Sequence, residues 1–244
     1  QMVANFEAGG AAINQLCAES RAELKVVPLT LDVPTKDFTK EEALSESELC
    51  AEMSKGAKAV NLDADILILG EMGIGNSTIS SALAASVFGG DVARWVGAGA
   101  GSDAAGIAHK QAVIKKGLAK NGARPGLGAL LAFGGREQAA ICGAILAARS
   151  ARIPVLLDGF ICTAAAAPLF GLAPASLDHC LVGHMSAEPG HQHLLTAMGK
   201  SAILNLEMRL GEGSGAALAL SILRGAVACH NQMATFQSAG IVGG

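Results

Sequence analysis

Short apolar runs alternate along this chain with longer segments of helical periodicity. Four runs predict strands, over Leu24–Leu31, Ala64–Gly70, Ile153–Asp158 and residues 178–183. Runs such as ADILILG and IPVLLD contain few polar residues, which is typical of strands buried on both faces of a sheet.

The segments around these runs have the apolar spacing of helices. They predict helices over residues 2–19, 41–61, 76–87, 103–120, 137–150, 160–170 and 214–230. Strands separated by helices of this length are typical of βαβ crossovers, so the pattern predicts an α/β fold with a parallel sheet. Such sheets bind ligands at the carboxyl ends of their strands, in the loops that lead into helices.

Composition excludes several classes of protein. The net charge is −3 and aromatic residues make up 3%, so we expect no nucleic-acid partner. The longest apolar stretches are too short or too broken to span a bilayer, and no secretion signal is recognisable. The six cysteines are scattered without a CxxC pair, which favours reduced thiols. We therefore expect a cytoplasmic protein with no membrane partner.

Four glycine-rich loops fall at strand-to-helix positions, where phosphates often bind. The first is GEMGIGNST, over residues 70–78. Its glycines would let the backbone approach a phosphate, and Asn76 or Ser77 could cap the following helix. An ordinary turn with a helix cap fits the same residues, because a GxG after a strand is a weak signal.

The other three loops are GAGAGSD at 97–103, FGGRE at 133–137 and HMSAEPGH at 184–191. Lys110 follows the second loop and could reach a phosphate, although it could equally lie on a solvated helix face. Three histidines in or beside the fourth loop suggest a metal. Neither an HExxH spacing nor a cysteine pair accompanies them, so we expect no metal and a polar loop that holds a ligand.

Glu212 stands between two glycines in MRLGEGSGAA, directly before the last predicted helix. An acid there could complement the helix dipole. In a glycine-lined and partly dry pocket it could instead serve as a general base, with a pKa raised by burial. The spacing alone leaves both interpretations open.

Several motifs together resemble one enzyme family, the nicotinate-nucleotide:dimethylbenzimidazole phosphoribosyltransferases of cobalamin synthesis. The matching stretches are MVANFEAGGAAIN (2–14), LGEMGIGNST (69–78), GIAHKQAV (106–113), IPVLLDGFICTAAA (153–166), HMSAEPGH (184–191), RLGEGSGAALAL (209–220) and MATFQSAGI (233–241). They extend over essentially the whole chain.

The resemblance implies a Rossmann-like parallel sheet flanked by helices, with a smaller helical domain from the N- and C-terminal helices. We assign residues 1–20 and 214–244 to the small domain and residues 21–213 to the nucleotide-binding domain. The implied enzyme is a homodimer without a cofactor. It converts nicotinate mononucleotide and 5,6-dimethylbenzimidazole to α-ribazole 5′-phosphate and nicotinate.

The resemblance also implies roles for particular residues. Glu212 matches the catalytic base, and Glu71 matches a second acid of the active site. The residues implied to bind the substrates are Gly73, Ile74, Gly75, Asn76, Gly97, Gly99, Gly101, Lys110, Asp158, Ser186, Leu210, Gly211 and Gln1.

Three departures from the family pattern affect this expectation. Residues 97–101 read GAGAG where the family often has GRGTG, so phosphate charge falls to Lys110 and backbone N–H groups. Arg136 and Gln138 stand where we expect Phe and an apolar residue. The chain also opens inside a helical pattern without an initiator Met, so we expect the natural protein to begin earlier.

Two alternatives belong to other classes of function. A shortened, non-catalytic module that only binds a nucleotide fits the glycine-rich loops as well. A Rossmann dehydrogenase fits less well, because no GxGxxG follows the first strand with an acid some twenty residues further on. Release of nicotinate on mixing with a benzimidazole distinguishes an enzyme from a binding module.

Overall fold

A computed structural model describes residues 1–99 and 101–241 of the protein. Ala100 of the second glycine-rich loop and residues 242–244 of the predicted small domain lie outside the described residues. The helices are α1 (Met2–Glu7), α2 (Ala12–Ser20), α3 (Glu46–Ala59), α4 (Asn76–Phe88), α5 (Ala104–Asn121), α6 (Leu127–Phe133), α7 (Arg136–Ser150), α8 (Phe160–Leu172), α9 (Pro189–Met198) and α10 (Ser214–Gln232). The strands are β1 (Leu67–Leu69), β2 (Val155–Leu157), β3 (Cys180–His184) and β4 (Ala202–Leu204).

The four strands form one parallel sheet in the order β1-β2-β3-β4, which confirms the predicted α/β fold. Successive residues of the strands point to opposite faces. Val155 and Leu157 of β2 pack into the main core, whereas Leu156 packs against Ala216 and Ala219 of α10. The sheet is therefore covered on both faces at β2, and every position of this strand requires an apolar residue.

Helices α3 and α7 pack closely because each has a glycine where the other helix's backbone approaches. A Cβ on Gly56 would lie 1.8 Å from the carbonyl oxygen of Ala140, and a Cβ on Gly143 would lie 1.9 Å from that of Met53. Any larger side chain at either position would separate the two helices.

The same helix pair contains a buried ion-pair network that accounts for Arg136. The Arg136 guanidinium bonds to Glu52 at 3.1 Å and Glu48 at 3.0 Å, and its Nε donates to the carbonyl of Val33. Since Glu52 is 1% exposed, its charge requires such a partner. Gln138 is also fully buried, but its amide has no hydrogen-bond partner among the described residues, and nothing in the structure explains why a polar residue stands there.

Some predicted elements differ from those observed. Residues 24–30 form no strand, because Pro28 lacks an N–H to donate and no neighbouring strand pairs with them. The predicted helix over 2–19 is interrupted at residues 8–11, where Gly9 has a left-handed φ of 75°. Strand β4 and helices α6 and α9 were not predicted. Because α6 stands directly before the FGGRE loop, this loop joins two helices and not, as expected from the sequence, a strand and a helix.

Helix α2 packs against α10 through a small cluster that includes Ile13, Cys17 and Ala217. Helix α10 also covers one face of the sheet, so it contacts both parts of the fold. The division into a small and a large domain stays a prediction. Among the described helices, none has the length and apolar character needed to cross a bilayer.

Replacing Gly143 by Ala should destabilise the protein, because the new methyl group overlaps the backbone of α3. We expect the free energy of unfolding to fall by about 2 kcal/mol or more, measured by urea denaturation. Gly225→Ala is the matched control, since a Cβ at this helical glycine meets nothing within 4 Å. It should leave stability unchanged or raise it by about 0.5–1 kcal/mol. Equal effects of the two substitutions would contradict the close packing.

Candidate active site

A cleft opens at the carboxyl end of the parallel sheet, where the loops after all four strands meet. It is lined by Glu71, Met72, Gly73, Gly75, Asn76, Ser77, Gly99, Asp158, Gly159, Phe160, Ile161, Cys162, His184, Ser186, Glu188, Arg209, Leu210 and Gly211. This is the position at which parallel α/β sheets bind their ligands. Segments far apart in the sequence converge there, and most of them belong to the quoted motifs.

Glu71 is the first acid of the cleft. Its carboxylate accepts a hydrogen bond from the Nδ2 of Asn76, at the start of α4. Burial raises the pKa of the Glu71 carboxyl to about 7, the bond from Asn76 opposes the shift, and the negative charges of Glu137 and Asp158 add to it. At neutral pH this carboxyl is therefore divided between its two protonation states.

Asp158 is the second acid, at the end of β2, and it is 2% exposed. Its Oδ1 accepts from the N–H of Ala216 at 2.9 Å and its Oδ2 from the N–H of Gly213 at 3.3 Å. These groups belong to the N-terminus of α10, whose positive end favours a carboxylate. Asp158 thereby fixes the segment before α10 against the sheet.

Residues 211–213 bring the Glu212 backbone against that of Glu71 through an uncommon conformation. All three have left-handed φ angles, of 83° at Gly211, 63° at Glu212 and 88° at Gly213. The conformation is unstrained for glycine but costly for Glu212, and such strain is often found at functional sites. The Glu212 N–H donates to the Glu71 carbonyl, and its Oε2 accepts from the N–H of Ile13 at 3.4 Å.

Glycines and the start of α4 also line the cleft. Helix α4 begins after Gly75 with no side chain capping its N-terminus, which is a favourable place for an anion. Lys110 is not a lining residue, but it contacts Ser77, which is one. Its Nζ donates to the carbonyls of Ala98 at 3.1 Å and Gly97 at 3.4 Å, and to the Ser77 hydroxyl at 3.3 Å.

A buried histidine fixes the 184–191 loop. The N–H of Ser186 donates to Nδ1 of His191 at 2.9 Å, and Nε2 lies 3.1 Å from the Thr163 hydroxyl. Burial, with a smaller contribution from His184, lowers the pKa of His191 to about 3, so the ring is neutral. Within residues 1–99 and 101–241, no three His, Cys, Asp or Glu side chains are grouped to hold a metal ion.

Most of the predicted site residues line the cleft. They are Glu71, Gly73, Gly75, Asn76, Gly99, Asp158, Ser186, Leu210 and Gly211. The others lie around it. Ile74 is fully exposed at the tip of its loop, Gln1 is exposed before α1, and Gly97 and Gly101 belong to the loop in front of Lys110. Glu212 is not among the residues that line the cleft, and its carboxylate accepts a hydrogen bond from the N–H of Ile13 at the start of α2. The roles of all these residues stay predictions.

Sequence reasoning did not include several residues of the cleft in the predicted site. His184 is 2% exposed, and its Nδ1 lies 3.4 Å from the Asp158 carboxylate. Ser77, Phe160, Glu188 and Arg209 also line the cleft. All five lie within the quoted motifs, so the signal was present, but a motif does not tell which of its side chains faces the ligand.

Comparisons with known proteins find similarity over nearly the whole chain. A family model described as phosphoribosyltransferase matches residues 1–241. The chain is similar to the nicotinate-nucleotide–dimethylbenzimidazole phosphoribosyltransferase of Rhodobacter capsulatus, with 61% identity over 98% of this chain and 72% of the relative. The enzyme of the same name from Roseobacter denitrificans is 56% identical over 100% of this chain and 73% of its own length. The crystal structure of CobT from Thermus thermophilus superposes with a TM-score of 0.88 at 37% identity, covering 100% of this chain and 79% of that one.

Glu71→Gln should change how stability depends on pH. The folded pKa of Glu71 is raised to about 7 from an ordinary value of 4.5, so its stabilising contribution is complete below pH 4.5 and lost as the pH rises to about 7. The variant has no such loss. Its free energy of unfolding should therefore rise relative to wild type between about pH 5 and pH 8, as measured by urea denaturation at each pH. A pH-independent difference would show that the Glu71 pKa is not raised.

Proposed function

The chain belongs to the phosphoribosyltransferase family whose relatives are named nicotinate-nucleotide–dimethylbenzimidazole phosphoribosyltransferase, and from this premise we propose its reaction in detail. The enzyme transfers the phosphoribosyl group of nicotinate mononucleotide to 5,6-dimethylbenzimidazole. The products are α-ribazole 5′-phosphate, the nucleotide of the cobalamin lower ligand, and nicotinate.

The observation that carries this proposal is that one cleft combines a place for an anion with two buried acids. The uncapped start of α4 and several glycines line the cleft, and an anion is favoured there. Glu71 and Asp158 line the same cleft, where their carboxyl groups favour positive charge. A nucleotide phosphate suits the first feature, and a ribose ring that becomes cationic during reaction suits the second.

The leaving group needs no proton from the protein. The glycosidic nitrogen of nicotinate mononucleotide is a pyridinium nitrogen, so it becomes neutral when its bond to C1′ breaks. The ribose then resembles an oxocarbenium ion, which the carboxylate of Asp158 and the ionised form of Glu71 stabilise. The scheme needs neither a metal nor a cofactor.

The incoming benzimidazole attacks C1′ with one nitrogen and loses the proton of the other. We assign that proton to Glu212, because its backbone is hydrogen-bonded to that of Glu71 and its neighbour Gly211 lines the cleft. A β-nucleotide gives an α-product, so attack comes from the face opposite the leaving nicotinate. Holding both rings in line at attack distance supplies much of the rate enhancement.

The remaining binding residues divide between the two ends of the substrates. Gly73, Ile74, Gly75, Asn76 and the glycines of the 97–101 loop hold the phosphate and ribose, with Lys110 supporting the loop from behind. Ser186, Leu210 and Gly211 hold the aromatic bases, and Gln1 borders the benzimidazole end.

We also propose that the enzyme works as a homodimer in the cytoplasm. The second half of α10 and the segment after it expose large apolar side chains, namely Ile222, Val227, Met233, Phe236 and Ile241. An exposed apolar surface of this kind is typical of a protein interface. The scattered free cysteines agree with a reducing compartment.

The direct test is to incubate the protein with nicotinate mononucleotide and 5,6-dimethylbenzimidazole and to separate the products by chromatography. Formation of α-ribazole 5′-phosphate with equal release of nicotinate supports the proposal. Binding of the nucleotide without release of nicotinate would instead identify a binding module.

Glu212→Gln should lower kcat by about 100-fold or more, because the amide cannot accept the proton of the benzimidazole. The measurement is nicotinate release at saturating substrates. Glu207→Gln is the matched control, since Glu207 is an exposed acid of the same segment and lies outside the residues that line the cleft. A kcat of Glu212→Gln close to that of the control would remove Glu212 from the mechanism.

Lys110→Ala should weaken binding of nicotinate mononucleotide by about 10-fold or more and leave benzimidazole binding nearly unchanged. The reason is that the substitution removes the cation that holds the loop proposed to bind the phosphate. Calorimetry of each ligand measures the two affinities. Lys116→Ala, at an exposed position of the same helix, is the control. Unchanged nucleotide affinity in Lys110→Ala would reject the phosphate role.

A further inference from the structure

Glu188 is a buried acid of the cleft that the reaction above does not use. It is 8% exposed and lies directly before α9. Its Oε1 accepts a hydrogen bond from the N–H of Gly99 at 2.8 Å. Its Oε2 is shielded from solvent and has no hydrogen-bond partner among residues 1–99 and 101–241.

An oxygen of this kind calls for a donor from outside the described protein groups. Leaving a buried charged acceptor unpaired costs more than most single hydrogen bonds contribute, so such groups require an explanation. Glycine at position 97 is what allows the carboxylate to stand here: a Cβ on Gly97 would lie only 2.3 Å from Oε2. Glu188 is also one of the residues that line the cleft, so a ligand in the cleft lies next to this side chain.

Lys110 does not fill this need. Its ammonium contacts the same loop through the carbonyls of Gly97 and Ala98, but in the described part of the chain it forms no ion pair with Glu188. The loop therefore contacts the Lys110 ammonium at one point and the Glu188 carboxylate, which can only accept hydrogen bonds, at another. The ammonium suits a phosphate, and the carboxylate suits a hydrogen-bond donor of the same ligand.

The chemistry of the oxygen selects its partner. A carboxylate only accepts hydrogen bonds, so neither the phosphate nor the carboxylate of nicotinate mononucleotide can bind it directly. The neutral donors of that nucleotide are its two ribose hydroxyls. Carboxylates bind ribose hydroxyls in the same way in dinucleotide-binding folds. The benzimidazole N–H is a donor too, but its acceptor in the proposed reaction is Glu212.

We propose that Oε2 of Glu188 accepts a hydrogen bond from a ribose hydroxyl of the bound nucleotide, and that Glu188 thereby selects ribonucleotides over deoxyribonucleotides. The inference rests on the proposed function for the identity of the nucleotide. Because Oε1 holds Gly99, the same side chain links recognition of the ribose to the position of the loop.

The test compares three nucleotides by calorimetry with no benzimidazole present: nicotinate mononucleotide and its 2′-deoxy and 3′-deoxy analogues. Wild-type protein should bind one deoxy analogue about 10- to 100-fold more weakly than the ribonucleotide, the range for a hydrogen bond to a charged group. Equal affinities for all three would overturn the proposal without any variant. Omitting the base keeps differences in glycosidic-bond reactivity out of the comparison.

Glu188→Gln separates ribose recognition from support of the loop. The variant should bind nicotinate mononucleotide about 10-fold or more weakly, with little further change for the analogue that lacks the recognised hydroxyl. The same loss for all three nucleotides would mean that Glu188 only supports the loop. Glu46→Gln, an exposed acid in the first turn of α3, controls for the substitution itself and should leave all three affinities unchanged.

The binding experiments test the role of Glu188 separately from the proposed transfer reaction. If wild-type protein binds the three nucleotides as expected but releases no nicotinate with 5,6-dimethylbenzimidazole, the proposed function fails and the role of Glu188 stands. If the reaction proceeds and Glu188→Gln weakens all three nucleotides equally, the role of Glu188 fails alone.

Discussion

The contact between Asp158 and the start of α10 is the constraint on which the rest of the site depends. The carboxylate stands at the end of the central strand β2 and accepts the N–H groups of Gly213 and Ala216. A buried carboxylate is stable there because it faces the positive end of a long helix and because both its oxygens are paired. The contact fixes residues 211–213 in their left-handed conformation, and these residues in turn hold the Glu212 backbone on that of Glu71.

The proximity of Glu71 to other acids changes its pKa. Glu71 shares the cleft with Asp158 and lies near Glu137, so burial and like charge both raise its pKa toward neutrality. A site rich in carboxylates disfavours an anionic transition state and favours one in which positive charge develops on a sugar ring. The site therefore suits the sugar of a pyridinium nucleotide.

The glycine-rich loop that contains Gly97 and Gly99 has no arginine, and two residues of opposite charge hold it instead. Lys110 donates to its carbonyls, and Glu188 accepts from the N–H of Gly99. Glycine at position 97 leaves room for the Glu188 carboxylate, and Gly99 has a left-handed φ of 60°. Of these two groups, Glu188 has one carboxylate oxygen without a hydrogen-bond partner in the described part of the chain.

The sequence by itself determined the fold class and the family, because strands buried on both faces need unbroken apolar runs and because the glycine and acid motifs survive as continuous stretches. It misplaced Leu24–Leu31, since an apolar run becomes a strand only where a neighbour pairs with it, and Pro28 weakens that pairing. The sequence also could not show that Asp158 caps α10, that the carboxyl with a pKa near 7 is Glu71, or that Glu188 faces the cleft. Only the tertiary structure decided these points, because burial, charge proximity and hydrogen-bond partners depend on residues that the chain brings together from more than fifty positions apart.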